Sequence, residues 1–456
     1  MSCTIYNLSI ESDLAALRAM LDERRRVGQA SDDQGIELKV RAILEEVRRD
    51  GLEAVLKYTS KFDAPNFAPN LFRVPPEMMH HAAGTVNRDD MRIIKEAAQN
   101  VRTFHQYEMQ KAWFSDPHEG MAVGQVYTPI RRAGLYVPGG QGGETPLISS
   151  LVMTAVPAQV AGVHKIAVIT PPRKDGTINP YILATAFHLG ITEIYACGSA
   201  WGIAALAYGA GPLAPVDVIA GPGNIWVNTA KRLLLGEVGI DMVAGPSEIA
   251  IYADHTARPG WIAADMLAQA EHDPMASSLC VIIDKNLEAP IMSALKKQLA
   301  DLPRTAQAGE SLKKWGAIVH AANEDQAFAL INELAPEHLE LMCEHPWDVL
   351  PRVTAAGAIF VGENSAESLG DYYAGPNHVL PTMGTARFAS GLGVSTFMRR
   401  SNVLCATPKI AQDAASSVAR LARLEGLEAH ARAAEIRLEG KGEEHPRLPN
   451  GKPGVR

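Results

Sequence analysis

Only 6% of the 456 residues are aromatic, and Lys plus Arg (43) fall short of Asp plus Glu (51), for a formal net charge of -8. Acidic and basic residues are mixed along the chain, so no basic stripe exists to neutralise a nucleic-acid backbone or an anionic membrane, and neither is expected as a partner. The five cysteines, Cys3, Cys197, Cys280, Cys343 and Cys405, are scattered and odd in number, with no CxxC pair. That argues against a disulfide framework and for buried thiols in a reducing cytoplasm. The most apolar long stretch, LISSLVMTAVPAQVAGV from Leu147, carries Ser149, Ser150, Thr154 and Gln159 and is broken by Pro157. It cannot serve as a membrane span and is read as a buried helix. The amino terminus has no basic start followed by an apolar block, so no export signal is expected. There is no repeat of fixed period and no proper dinucleotide fingerprint: GGQGGE at Gly139 has the wrong glycine spacing, and GPGN at Gly221 supplies only the first glycines of a turn.

With 47% hydrophobic and 21% charged residues, the chain fits an ordinary enzyme of two or more domains. From Ser12 to Tyr58, apolar residues such as Val40, Ile43, Leu44 and Val47 recur at helical spacing, and a second helical stretch runs from about Asp89 to Met109. From Gly134 onward, short Val- and Ile-rich runs (KIAVIT at Lys165, EIYACG at Glu193, VDVIAG at Val216) alternate with segments long enough to be helices. This is the pattern of a parallel sheet with crossovers. The alternation resumes with EIAIYAD at Glu248, LCVIID at Leu279, AIVHAA at Ala317 and AIFVG at Ala358, giving a second α/β unit with a boundary near Gly245. Residues 410–438 read as helical, and the tail after them has few apolar residues to bury and is expected to be disordered.

Several polar groups stand out. Gln269 and His272, three apart at the end of a helical stretch, leave one helix face and can converge on one ion, with Ile262, Met266 and Leu267 turned to another stripe. A lone helical histidine is more often a surface or core residue, and glutamine is a poor ligand by charge, so the pair alone favours the structural reading. Glu337 and His338 in PEHLEL stand just before an apparent strand. An imidazole there could abstract a proton and a carboxylate could activate water, although a helix-capping or solvated pair fits the spacing equally well. Asp371 lies in the Gly-, Pro- and Asn-rich stretch LGDYYAGPNHVLPT, a candidate ligand in a loop too long for a simple turn, where Asn377 and His378 are assigned to bracing the backbone. Glu425 and His430 are five apart on the last helical segment, which on a regular helix turns them about 140° from one another. The Gly221–Asn224 turn follows a strand and opens a helix, so its N–H groups could meet a phosphate, though ordinary turn chemistry is the commoner explanation.

Together the blocks RRAGLYVPGG at Arg131, GPGNIWV at Gly221, DMVAGPSE at Asp241, AQAEHD at Ala268, PEHLE at Pro336, GDYYAGPNHVLPT at Gly370 and EGLEAH at Glu425 resemble the histidinol dehydrogenase family over nearly the whole chain. The resemblance implies two Rossmann-like α/β domains with parallel-rich sheets, as in aldehyde and histidinol dehydrogenases, plus small helical terminal segments. On that reading 1–30 is an N-terminal helical segment, and 31–133 with 246–384 form the metal and catalytic domain. Residues 134–245 form the cofactor domain, 385–438 a C-terminal helical arm, and 439–456 the tail. It further implies oxidation of L-histidinol through an aldehyde to L-histidine with two NAD⁺. Gln269, His272, Asp371 and His430 would hold one zinc ion per subunit, and Ser247, His338 and Glu425 would contact substrate beside these ligands. His338 would act as base, Glu337 would activate water, and Tyr136 and Asn224 would contact NAD. The family assembles as a homodimer in which the partner's C-terminal arm completes the site, so Glu425 and His430 would act in trans. One departure is Trp201 in GSAWG, where the family carries glutamine; an indole cannot make the two-sided hydrogen bonds of an amide, so the cofactor would be held differently there, by stacking for instance.

Two imidazoles with oxygen donors also permit manganese or cobalt. A dehydrogenase of another small alcohol, such as a sulfonated diol, is the near alternative, against which Glu425 argues because a carboxylate repels a sulfonate. A zinc hydrolase without nicotinamide and a catalytically idle binding protein are the remaining classes.

Overall fold

The computed structural model describes residues 3–28, 34–140 and 143–439; the tail expected to be disordered begins at the last described residue and otherwise lies outside them. In chain order the strands are β1 (Thr4–Asn7), β2 (Trp113–His118), β3 (Met121–Pro129), β4 (Arg132–Tyr136), β5 (Lys165–Thr170), β6 (Glu193–Ala196) and β7 (Val218–Ala220). They continue with β8 (Gly239–Ile240), β9 (Glu248–Ala253), β10 (Ser277–Ile282), β11 (Gly316–His320), β12 (His338–Met342), β13 (Ala358–Val361) and β14 (Met398–Ala406). Compactness divides the chain into one unit of Met1–Glu108 with Arg131–Phe397 and another of Met109–Ile130 with Met398–Arg456.

The first unit holds two parallel sheets, ordered β6-β5-β4-β7-β8 and β1-β11-β10-β9-β12-β13. Leaving β1 aside, each sheet puts its first strand in the middle, the next two to one side and the last two to the other, an order that creates a crevice beside the first strand. The strands are apolar along their length because helices cover both faces. In β9, Ile249 and Ile251 join Ile262, Met266 and Leu267 of the helix Pro259–Ala270, while Ala250 and Tyr252 face Leu17, Leu21, Phe328 and Ile331. The Leu147 segment is the buried helix Ile148–Val160, with every residue from Ser150 to Ala158 out of solvent.

Two expectations are corrected. Residues 1–30 are not simply helical: TIYN forms β1, paired with β11 in register Thr4↔Ala317, before the helix Glu11–Gly28. Residues 109–130, read as part of the metal domain, belong to the second unit, where β3 pairs antiparallel with β2 and with all nine residues of β14. The expected arm, 385–438, begins instead with the 3-10 turns Thr385–Arg387 and Val394–Phe397 in the first unit and enters the second as the strand β14. Its helical part is two helices, Pro408–Leu424 and Glu428–Glu435, joined through Ala419, Ala422 and Ala431.

Candidate active site

The PEHLEL segment is itself a strand, since His338 is the first residue of β12 and lies in register with Ile249 of β9. Glu337 and His338 thus sit at the amino end of β12, beside that of its neighbour β9, not at the carboxyl ends where parallel sheets usually receive ligands. They meet at the backbone of one residue: Glu337 Oε2 accepts the Glu248 N–H (2.9 Å), and His338 Nδ1 donates to the Glu248 carbonyl (3.2 Å). A carbonyl can only accept, so Nδ1 carries the proton and the lone pair of the neutral ring is on Nε2. Glu248 is itself fixed, its carboxylate accepting from Arg24 Nη1 (2.6 Å) and from the Met383 N–H (2.9 Å).

Around the imidazole stand Glu367 Oε1, 3.6 Å from Nδ1, and Asp371 Oδ1, 3.6 Å from Nε2. Burial pushes Glu337 up to about 8 and Glu367 up to about 7. Burial works to lower His338, but the carboxylates of Glu367, Glu337 and Asp371 outweigh it and raise the imidazole to about 10. Asp371 is held below its ordinary range: burial opposes this, and the His338 imidazole overrides it.

Gln269 lies in the last turn of the helix Pro259–Ala270, completely buried, and neither its amide oxygen nor its nitrogen has a hydrogen-bond partner among the described residues. His272 is not on that helix. Glu271 caps it, and His272 follows in a turn, its N–H donating to the Gln269 carbonyl (3.2 Å). Its imidazole is lowered by burial, with Asp371 pulling the other way. Asp371 is carried by a π-helical turn, Gly370–Ala374, a rare geometry frequent at functional sites. A Cβ on Gly370 would stand 2.6 Å from the Phe360 ring, so that turn needs glycine to approach β13. Among the described residues, ligand atoms of His338, Glu367 and Asp371 lie within 4.8 Å of one another, a grouping able to hold a cation. Because Glu367 and Asp371 face different nitrogens of His338, they flank the ring as much as they converge. Asn377 does brace the backbone as expected, donating to the Met153 carbonyl (2.7 Å) and accepting from the Val379 N–H (2.9 Å). His378, set aside with it, faces Asp371, His338 and His272 instead. Ser247 precedes β9 and offers its carbonyl to Arg24 (3.1 Å). The expected 140° turn between Glu425 and His430 does not arise: Glu425 caps one helix, Gly426 turns at φ +75°, and His430 lies on the next, both side chains exposed on the second unit.

The crevice of the other sheet opens between β4 and β7. Tyr136 ends β4 and is buried, and burial raises its hydroxyl well above the ordinary tyrosine range. Asn224 caps the helix Ile225–Leu233, accepting from the Trp226 and Val227 N–H groups (3.1 and 3.3 Å). Trp201 is committed elsewhere: its ring stacks on Tyr58 (5.8 Å) and Phe62 (5.6 Å), and its Nε1 donates to Thr59 Oγ1 (3.1 Å).

The family profile described as histidinol dehydrogenase matches residues 26–438. The chain belongs to the histidinol dehydrogenase family. Enzymes of this family are NAD-linked oxidoreductases, and that is the class of this chain. It is 53% identical to histidinol dehydrogenase of Oleidesulfovibrio alaskensis over 96% of this chain and 100% of that one, and 46% identical to that of Geobacillus kaustophilus over 90% and 96%. The crystal structure of histidinol dehydrogenase from Elizabethkingia anophelis superposes with a TM-score of 0.88 at 34% identity, covering 96% of this chain and 98% of that one. Glu367 and His378 are the site residues that motif reading passed over; only the placement of Glu367 four residues ahead of Asp371 hinted at it.

Proposed function

We propose that the protein oxidises L-histidinol through L-histidinal to L-histidine at the expense of two NAD⁺, the closing steps of histidine biosynthesis, in the cytoplasm. The observation that carries this reading is the Glu337–His338 pair on the Glu248 backbone, which leaves Nε2 of a buried imidazole uncommitted beside Asp371. In the first step Nε2 of His338 takes the alcohol proton as the hydride leaves carbon for the nicotinamide of NAD; a positioned base of this kind is worth about 10²–10⁴ in rate. The aldehyde has no second hydride to give until water adds. Glu337 takes the proton of that water, with a pKa raised by burial toward the working range of a base. As the water adds, His338 returns its proton to the carbonyl oxygen, so the hydrate can lose its hydride while the neutral imidazole again accepts a proton.

Gln269, with its stranded buried amide, suits a metal ligand, because leaving both polar atoms unmatched costs stability that coordination would recover. With His272, Asp371 and His430 of the partner subunit it would hold one zinc ion. Bound there, the ion would grip the imidazole and amine of the substrate and keep the reacting carbon beside the nicotinamide. Ser247 and Glu425 would contact substrate, the Glu425 carboxylate favouring a cationic amino alcohol. Tyr136 and Asn224 would contact NAD at the β4–β7 crevice.

A homodimer in which each C-terminal arm completes the other site is supported by exposed apolar side chains on the arm, Val418, Leu421 and Leu424, and by a cavity of 640 Å³ in the first unit lined by Phe104, Trp347, Ile359, Phe360 and Leu369. Mixing inactive Asp371→Asn and His430→Asn subunits should restore about a quarter of wild-type activity, since half of the randomly assembled dimers would have one intact site of two. No restoration on subunit exchange would mean that His430 serves its own chain. The function itself is tested by NADH formed per histidinol consumed: a ratio near two supports it. A ratio of one, or preferential oxidation of dihydroxypropanesulfonate, overturns it.

A further inference from the structure

The turn after β7 is built around a glycine whose N–H and carbonyl are both held. Gly221 adopts φ +126°, and a Cβ there would stand 2.1 Å from the Tyr136 carbonyl oxygen, so only glycine can bring this backbone against the end of β4. Its N–H donates to Asp241 Oδ2 (2.8 Å), and its carbonyl accepts from Lys231 Nζ (3.0 Å). Lys231 and Asp241 form an ion pair with side chains 1% and 0% exposed. Asp241 also accepts the Met242 N–H (2.7 Å). Three residues before Lys231 on the same helix, Asn228 Nδ2 donates to the Gly223 carbonyl (2.9 Å) and to the Ala244 carbonyl (2.7 Å). Asn224, Asn228 and Lys231 thus form one helical stripe that laces the turn to the segment Asp241–Ala244.

Nothing in the chemistry proposed above uses Lys231 or Asp241. A buried ion pair is also a poor source of stability, because desolvating two charges cancels most of their attraction. What the pair achieves is geometric: it fixes a glycine turn that would otherwise sample many conformations.

We infer that Lys231, Asp241 and Asn228 are positioning residues for the dinucleotide, holding the Gly221–Asn224 turn in the shape that receives the pyrophosphate at the β4–β7 crevice before the ligand arrives. The inference rests on the reading that this crevice takes NAD. Ordering the turn in advance removes that cost from binding, so its loss falls on nucleotide affinity and not on the chemical step.

The test is NADH binding to the full-length protein without substrate, followed by the fluorescence of the reduced nicotinamide. The double variant Lys231→Met with Asp241→Asn preserves shape and leaves no lone buried charge. It should bind NADH roughly tenfold more weakly and raise the KM for NAD by a similar factor, with kcat at saturating NAD and the KM for histidinol within about twofold of wild type. A folded double variant with undiminished NADH affinity overturns the inference. Asn228→Ala, which leaves the ion pair intact, is the second arm and decides the matter should the double variant not fold: about threefold weaker NADH binding supports the brace, and unchanged binding overturns it. Wild-type protein that fails to bind NADH would instead remove the cofactor reading on which the inference stands.

Discussion

At the amino end of β9 an acid and a base, Glu337 and His338, hold the N–H and the carbonyl of Glu248; at the carboxyl end of β7 an acid and a base, Asp241 and Lys231, hold the N–H and the carbonyl of Gly221. The first arrangement leaves groups unspent. Among the described residues, His338 keeps Nε2 without a hydrogen-bond partner, and Gln269 keeps a whole amide. The second is saturated, with Asp241 and Lys231 paired to each other and to backbone. Uncommitted polar atoms in a buried place are where ligands and protons go; committed ones set the shape of what surrounds them. The two regions therefore divide the labour between side-chain chemistry and backbone presentation.

The largest effect that contrast predicts is at His338. Replacing it by Asn should cut the first hydride transfer by about 10²–10⁴, measured by single-turnover NADH formation from histidinol, with the fold unchanged by circular dichroism. A loss below tenfold would mean that the uncommitted nitrogen is not the base. Glu337→Gln should reduce oxidation of supplied histidinal by roughly 10² while slowing histidinol oxidation less. Equal losses in both half-reactions would erase the division of roles between the pair.

Smaller effects fall on stability. Gln269→Leu should stabilise the metal-free protein by about 1–3 kcal/mol in urea unfolding, since it removes a buried amide with no partner, while zinc uptake measured by metal analysis drops. A destabilised metal-free variant would show that the amide has partners after all. The smallest effect tests an unspent group near the β4–β7 crevice. Asp63 has a buried, unpartnered Oδ2, and burial raises its carboxyl to about 7 from 3.8. The folded state then binds this proton more tightly than the unfolded chain, so its contribution is present below the unfolded pKa and is lost as pH rises through the folded value. Wild-type melting temperature should fall more between pH 4 and pH 7 than that of Asp63→Asn, and parallel curves would refute the assignment.

Much of this architecture was legible in local pattern. KIAVIT and EIAIYAD lie in β5 and β9, and the Leu147 run became a buried helix despite Pro157. What escaped was structure whose reason lies outside its own segment. TIYN is too short to show a period and is a strand because β11 offers an edge; β2 is exposed along its length and is a strand because β3, itself paired with the returning β14, offers it an edge. His272 was expected on a helix face, but the helix stops at Glu271. Glu367 carries no motif and matters only because its segment packs beneath β12, where its N–H donates to Glu340 (2.8 Å).

By itself, the order of amino acids determined which runs could be strands and which side chains could hold a metal or move a proton, because periodicity and functional-group chemistry are local properties. Only the tertiary structure decided that His338 and Glu248, ninety positions apart, share a hydrogen bond, and so which nitrogen of the ring is free. It likewise decided that Gln269 has no partner among the described residues and that Trp201 is spent on Tyr58 and Phe62. The reason is that parallel pairing and burial bring together residues far apart in the chain, and it is burial that sets which protons stay and which polar atoms go unmatched.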